Sequence, residues 1–141
     1  MEDINALDEI HKGACMGMDA LSFILEKVKD KGLKKELKRE YDNYKDTSKK
    51  IEEIYPKYNE GEPHKTGVMT KAMTWYETQM KSMSDDSDSH MAELLLNGVN
   101  MGIIEGRRIL NKKKINDEVS KIVSSYVTMQ EESVEALKGY L

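Results

Sequence analysis

The spacing of the apolar residues restricts the folds open to this chain more than any other feature. These residues recur three and four positions apart along five segments, which is the period of one face of an α-helix. In the first segment the series runs Ile4, Leu7, His11, Ala14, Met18, Leu21, Leu25 and Val28. No segment shows the strict alternation that is typical of a half-buried strand. The sequence therefore predicts an all-α protein with helices over residues 3–30, 33–59, 67–83, 89–111 and 116–140.

Glycine and proline mark the predicted ends of the first two helices. We expect Gly32 to end the first helix, because glycine readily adopts the left-handed conformation that follows many helices. We expect Pro56 to kink or end the second helix, since proline lacks an amide donor. Short connections make consecutive helices antiparallel. The chain is therefore predicted to form two helical hairpins that pack as a four-helix bundle. The third helix along the chain is additional and crosses from one hairpin to the other, which makes five helices in total.

Length and composition favour a single domain over residues 1–141, because a chain of this size can bury its own core. Charged residues make up 34% of the chain with a net charge of −4, and the two signs are interspersed. This distribution gives no broad basic face for nucleic acid. The longest apolar-leaning run covers residues 94–104. It is far shorter than the roughly 20 residues that span a bilayer, so a membrane protein is not expected.

The location predicted from the sequence is cytoplasmic. Cys15 is the only cysteine of the chain, so no intramolecular disulfide can form, and a reducing compartment suits it. The first residues, Met-Glu-Asp, do not begin a basic segment followed by an apolar one, as a secretory signal would. We therefore expect no export.

Two stripes of glycine fall inside predicted helices. Gly13 and Gly17 are four residues apart in the first helix, and the fourth helix repeats this spacing at Gly98, Gly102 and Gly106. Glycine within a helix costs about 1 kcal/mol relative to alanine, so another interaction must offset it. We interpret the stripes as a close approach of helices 1 and 4 or as a dimer contact, in preference to a ligand-binding role. A homo-oligomer, most simply a dimer, is the expected state.

The two predicted hairpins resemble each other in sequence. The segment from Gly13 to Gly17 is matched 85 residues later by the segment from Gly98 to Gly102, and Tyr44 is matched by Tyr126 at an offset of 82. A duplicated hairpin explains both matches. Chance similarity among amphipathic helices is the alternative.

Four polar or aromatic residues form the candidate site. His11 and Glu105 lie on predicted core faces at similar heights in the bundle, with Tyr55 and Tyr126 near the same level. This cluster predicts either a hydrogen-bonded core network or a site that binds one metal or handles protons. We favour the network, because buried charges are tolerated when they are paired.

The sequence predicts no catalytic residue and no metal site. A di-iron bundle needs Glu-x-x-His on two helices, and that motif does not occur in the chain. If a metal is bound, iron or manganese would be the ion, with His11 and Glu105 as its ligands. No nucleophile motif and no phosphate-binding loop occurs either, so an enzyme is not the favoured interpretation.

Two stretches, HKGACMGMDA (residues 11–20) and SHMAELLLNGVNMGIIEG (residues 89–106), resemble an uncharacterised bacterial family of ferritin-like bundle proteins. The resemblance extends over nearly the whole chain. It implies a ferritin-like four-helix bundle of two hairpins with an additional crossover helix, and it brings no established activity. Ferritin-like relatives often hold two irons through carboxylates and histidines, a pattern from which this sequence departs.

These observations leave two hypotheses for function. The first is a non-catalytic ferritin-like bundle that acts through self-association or partner binding, with its small-molecule ligand, if any, unspecified. The alternative is a metal-binding or redox protein with a non-standard site in the bundle core.

Overall fold

The computed structural model of the chain describes residues 2–59, 61, 63, 68–81, 85, 87–112 and 114–141. The side chains of residues 68–73 lie outside this description, as do both ends of the predicted third helix. The described residues form five α-helices: α1 (Glu2–Leu25), α2 (Lys31–Ile54), α3 (Val68–Lys81), α4 (Asp88–Lys112) and α5 (Asp117–Lys138). They contain no strand, so the all-α prediction is confirmed. None of these helices has the length and apolar character needed to cross a membrane.

The junction between α1 and α2 differs from the sequence prediction. α1 ends at Leu25, five residues earlier than expected, and α2 begins at Lys31. The side chain of Asp30 accepts a hydrogen bond of 2.8 Å from the amide of Leu33 and so caps α2. Gly32 therefore lies in the first turn of α2 and does not end α1. An aspartate that satisfies a free amide at a helix start determines this boundary without a left-handed glycine.

Polar contacts at the two ends of the bundle join the hairpins. At one end, the carboxylate of Asp88 at the start of α4 accepts hydrogen bonds from the amides of Lys29 and Asp30, at 2.9 and 2.7 Å. At the other end, α2 stops at Ile54 and continues as the 3₁₀ turn Tyr55–Lys57, which contains Pro56. The hydroxyl of Tyr58, just after this turn, donates a hydrogen bond of 2.8 Å to the carboxylate of Glu118 in α5.

The helices pair as two hairpins. α1 packs most extensively on α2, and α4 packs most extensively on α5. α1 also contacts α3, α4 and α5, while α2 contacts α5, so α1 lies at the centre of the assembly. Burial of an aliphatic core side chain stabilises the fold by roughly 1.5–3 kcal/mol. The largest of the fully buried aliphatic side chains are Leu7, Ile10, Leu21, Ile24, Leu33, Leu37, Ile51 and Leu137.

Candidate functional site

A cavity of about 560 Å³ lies between the helices, and residues of all five helices line it. Its volume falls within the range of about 300–1,000 Å³ that small-molecule pockets have. At its rim, Trp75 of α3 and Met101 of α4 are 38% and 65% exposed. The cavity is therefore large enough for a small organic molecule and has apolar side chains at its entrance.

The glycines of α1 and α4 shape this cavity, because each faces a side chain from another helix. A Cβ atom at any of them would come closer than 3.0 Å to that side chain, a distance that real Cβ atoms essentially never show. The pairs are Gly13 with the hydroxyl of Tyr126, Gly17 with the ring of Tyr44, Gly98 with the hydroxyl of Tyr76, Gly102 with the amide of Gln130, and Gly106 with Val127. The stripes thus accommodate side chains of α2, α3 and α5, whereas the sequence interpretation placed a second helix backbone or a second copy against them.

Aromatic rings form much of the cavity wall. Tyr44 and Tyr126 are in edge contact, with ring centroids 6.1 Å apart and an interplanar angle of 61°. Trp75 and Tyr76 make a similar contact at 4.7 Å and 89°. Edge contacts of this kind stabilise aromatic pairs by about 0.5–1.5 kcal/mol beyond their burial. They also hold the rings in fixed orientations around the cavity.

Glu40 is the most unusual residue of the cavity. It lines the cavity and is 1% exposed, yet neither carboxyl oxygen has a hydrogen-bond partner among the described residues. The carbonyl oxygen of the Gln130 side chain also lacks one, although its amide nitrogen donates to the hydroxyl of Tyr44 at 3.3 Å. Buried polar atoms are almost always paired in native proteins. Three buried oxygen atoms without a partner in one cavity therefore indicate that it receives a polar group.

Burial determines the protonation state of Glu40. Loss of hydration, and after it the neighbouring Glu36 carboxylate, together raise the pKa of its carboxyl to about 9, against the opposing charge of Arg39 and the hydroxyl of Ser133. Burial also opposes ionisation of Glu36, but the guanidinium of Arg39, 2.6 Å from its carboxylate, lowers the pKa of Glu36 overall. At pH 7 Glu40 is thus a neutral acid beside an ionised one.

The phenols of the cavity stay neutral as well. Burial raises the pKa of Tyr76 to about 12, and it raises the pKa values of Tyr44 and Tyr126 well above those of exposed tyrosines. Below pH 9 the tyrosines therefore act as hydrogen-bonding phenols, and Glu40, with a pKa of about 9, ionises before any of them.

The structure separates the four residues of the predicted cluster. Glu105 and Tyr126 line the cavity, whereas His11 and Tyr55 do not. The hydroxyl of Tyr55 donates to Asp8 at 2.9 Å. None of these contacts joins His11 to Glu105, the pair named as ligands if a metal is bound.

His11 belongs to a separate polar cluster between α1 and α2. It is fully buried, and its Nε2 lies 3.2 Å from the hydroxyl of Ser48 and 3.4 Å from the carboxylate of Glu52. Its Nδ1 lies 3.8 Å from the thiol of Cys15, one turn further along α1. His11 therefore lies in a polar contact network in the core, but its partners here are Ser48, Glu52 and Cys15 and not the predicted Glu105, Tyr126 and Tyr55.

The described part of the chain offers no ready metal centre. Among its histidine, cysteine, aspartate and glutamate residues, no group of three or more is arranged to hold a metal ion. The non-standard metal site at His11 and Glu105 stays a prediction, and no third residue in the described part of the chain completes a ligand set with them.

Sequence reasoning missed the residues that carry the cavity. Glu40 lies three residues after Leu37 and four before Tyr44, which places it on the buried face of α2. A glutamate at a position where the helical spacing calls for an apolar residue was the sequence signal that could have indicated a buried carboxyl group. Gln130 lies four residues after Tyr126 on α5 by the same rule. Tyr76 and Trp75 gave no signal for a ligand site, because aromatic residues are common on the buried faces of helices.

In comparisons with known proteins, no family model matches the chain, and no curated protein or solved structure matches it.

Proposed function

We propose that this protein is a non-catalytic helical bundle that binds a small molecule with an apolar body and a polar group. The observation that carries the proposal is the cavity of about 560 Å³, in which the carboxyl oxygens of Glu40 and the side-chain carbonyl of Gln130 have no partner among the described residues. Binding sites for small molecules combine mostly apolar walls with a few polar groups that fix orientation. The aromatic walls and the three acceptor atoms supply these two parts.

We further propose that the two hairpins have the ferritin-like arrangement, with α3 as the crossover helix. Pairing of α1 with α2 and of α4 with α5 supports this connectivity, as does the packing of α3 on α1. Four-helix bundles build their ligand sites in the core, from side chains on facing helices. The cavity between the hairpins is such a location.

Fluorescence titration with Nile red, a neutral apolar dye, tests the ligand-binding proposal. We expect saturable binding of one dye per chain. Trp75, the only tryptophan of the protein, lies at the rim of the cavity, so its emission should change in step with that of the dye. A Trp75→Phe variant separates the two signals, because dye emission should persist when tryptophan emission is lost.

Two variants locate the bound dye. Ala20→Leu adds volume at a buried cavity-lining position and should weaken dye binding at least tenfold. Ile104→Ser removes an exposed apolar side chain that does not line the cavity, so it should leave the affinity unchanged. Circular dichroism and urea unfolding serve to check that both variants are folded. Absence of saturable binding to the folded wild type, or equal affinity in Ala20→Leu, would contradict the proposal.

Self-association and partner binding stay part of the proposed role, and light scattering on the full chain measures the first. The glycine stripes gave the original reason for a dimer. In the structure these glycines face side chains of their own chain, so the proposal of a dimer now depends on other surfaces, such as the exposed Met101 and Ile104 of α4.

A further inference from the structure

We propose that the cavity binds an organic cation, an ammonium group on an apolar body, through the carboxylate of Glu40 and the side-chain carbonyl of Gln130, beside the aromatic rings of Tyr44 and Tyr126. The inference rests on the proposed ligand-binding function and specifies the class of ligand. Four properties of the site support it: its charge, its hydrogen-bond acceptors, its aromatic rings and its proton balance.

The charges that line the cavity favour a cation. The lining contains three carboxyl groups, those of Glu9, Glu40 and Glu105. The one cationic side chain among the described lining residues, Lys12, lies 3.7 Å from the carboxylate of Glu9. An anionic ligand such as a fatty acid would lie beside these carboxyl groups with no unpaired cation among the described lining residues, so it does not suit this site.

The hydrogen-bond acceptors match an ammonium group in number and kind. The atoms without a partner among the described residues of the cavity are both carboxyl oxygens of Glu40 and the side-chain carbonyl oxygen of Gln130. A primary ammonium has three donors and no acceptor. Hydrogen bonds from a cation to a carboxylate are about twice as strong as neutral ones, so the match also favours a charged donor.

Aromatic rings near these acceptors suit the same group. Tyr44 follows Glu40 by one helical turn on α2, and its hydroxyl accepts a hydrogen bond from Gln130. Tyr126 makes a T-shaped contact with Tyr44 and precedes Gln130 by one turn on α5. The face of a tyrosine ring attracts an organic cation electrostatically, most strongly in a site shielded from water.

Proton balance gives the proposal a measurable signature. The titratable and charged groups that act on Glu40, directly or through one neighbour, are Glu36, Arg39, Tyr44, Tyr76, Tyr126 and Glu132. Arg39 keeps Glu36 ionised and the phenols stay neutral, while Glu40 changes its charge as the pH rises from 7 through 9. When the cation binds, the carboxyl proton of Glu40 passes to solvent and leaves the carboxylate paired with the ammonium. The affinity for a cation should therefore rise with pH, by roughly tenfold per unit below pH 9.

Isothermal titration of the full chain with octylammonium, octanol and octanoate at pH 7 and pH 8 tests the inference. The three probes share one alkyl chain and differ in charge. We expect octylammonium to bind at least tenfold more tightly than either other probe at pH 8, and about tenfold more tightly at pH 8 than at pH 7. Its heat of binding should also change between phosphate and Tris buffers, because one proton is released for each molecule bound.

The Glu40→Gln variant should lose the preference for octylammonium and its dependence on pH while it still binds octanol. Glu135→Gln, which changes an exposed carboxylate on the far part of α5, is the control and should keep both. Octanol binding equal to octylammonium at both pH values would overturn the inference and leave the proposed function intact. A pH dependence that survives in Glu40→Gln would overturn it too. If none of the probes binds, and Nile red does not either, both proposals fail together.

Discussion

Replacement of Gly17 by alanine should destabilise the protein by roughly 2–3 kcal/mol, although alanine is the better helix former by about 1 kcal/mol. The added methyl group would lie 2.7, 2.8 and 2.9 Å from three ring atoms of Tyr44. That ring is 4% exposed, and its hydroxyl accepts a hydrogen bond from Gln130 that a shift of the ring would disrupt. Urea unfolding at pH 7 measures the change in free energy.

Two double variants test whether contact with a tyrosine side chain is the reason that alanine is not tolerated at these glycines. At Gly13 an added methyl group would overlap the hydroxyl of Tyr126, while the ring carbon that bears it lies 3.3 Å away. Tyr126→Phe should therefore restore most of the stability lost in Gly13→Ala. Tyr44→Phe should not restore Gly17→Ala, because the overlap there is with the ring itself.

Gly139 serves as the control for the glycine variants. Its φ angle is −66°, and its nearest neighbour to an added methyl group is the carbonyl oxygen of Ala136 at 3.4 Å. Gly139→Ala should change the stability by less than about 0.5 kcal/mol. If Gly17→Ala proved as stable as wild type, the ring of Tyr44 would not explain the glycine.

The second large effect concerns Glu40, since Glu40→Gln should stabilise the protein at neutral pH. The pKa of Glu40 is raised from 4.5 to about 9 in the folded state, where burial favours the neutral acid. The folded state therefore holds its proton more tightly than the unfolded state does. Stability is lost as the pH rises above 4.5, and the loss continues until about pH 9. Glutamine has a similar shape and cannot ionise, so the variant avoids this loss.

Unfolding of both proteins at pH 4.5, 7 and 9 measures the effect. The stability of Glu40→Gln relative to wild type should increase by on the order of 3 kcal/mol between pH 4.5 and 7, because one pKa unit corresponds to about 1.4 kcal/mol. Glu135→Gln, whose carboxylate is exposed, should show a nearly constant difference over the same range. A constant difference for Glu40→Gln as well would show that this carboxyl is not kept neutral by the fold.

Together the two effects connect the fold to the proposed function. The glycines give the rings of Tyr44 and Tyr126 room against α1, and these rings form a wall of the cavity. An uncompensated buried acid costs stability, and natural proteins often accept such a cost at functional sites. If Glu40 is kept for function at a cost in stability, the Glu40→Gln variant should be more stable than wild type and should lose cation binding.

Local sequence rules predicted the helices better than their junctions. Apolar spacing located five helices, because a buried face must recur with each turn regardless of its partner. The end of α1 was misplaced because Asp30 and Gly32 carry competing local signals, and the cap at Asp30 determined the boundary. The internal similarity also overstated the symmetry. Gly17 faces Tyr44 within the first hairpin, whereas the equivalent Gly102 faces Gln130, one turn beyond Tyr126.

Spacing along each single helix was enough to predict that this protein is helical, which helix faces are buried and that its glycines lie close to another group, because these properties do not depend on the partner helix. Tertiary structure alone decided which side chains those glycines face, that His11 pairs with Ser48 and Glu52 instead of Glu105, and that Glu40 and Gln130 share a cavity. Such contacts depend on how far each helix is rotated and shifted against its neighbours. One turn of shift changes every partner across an interface while it leaves the apolar pattern of each helix unchanged.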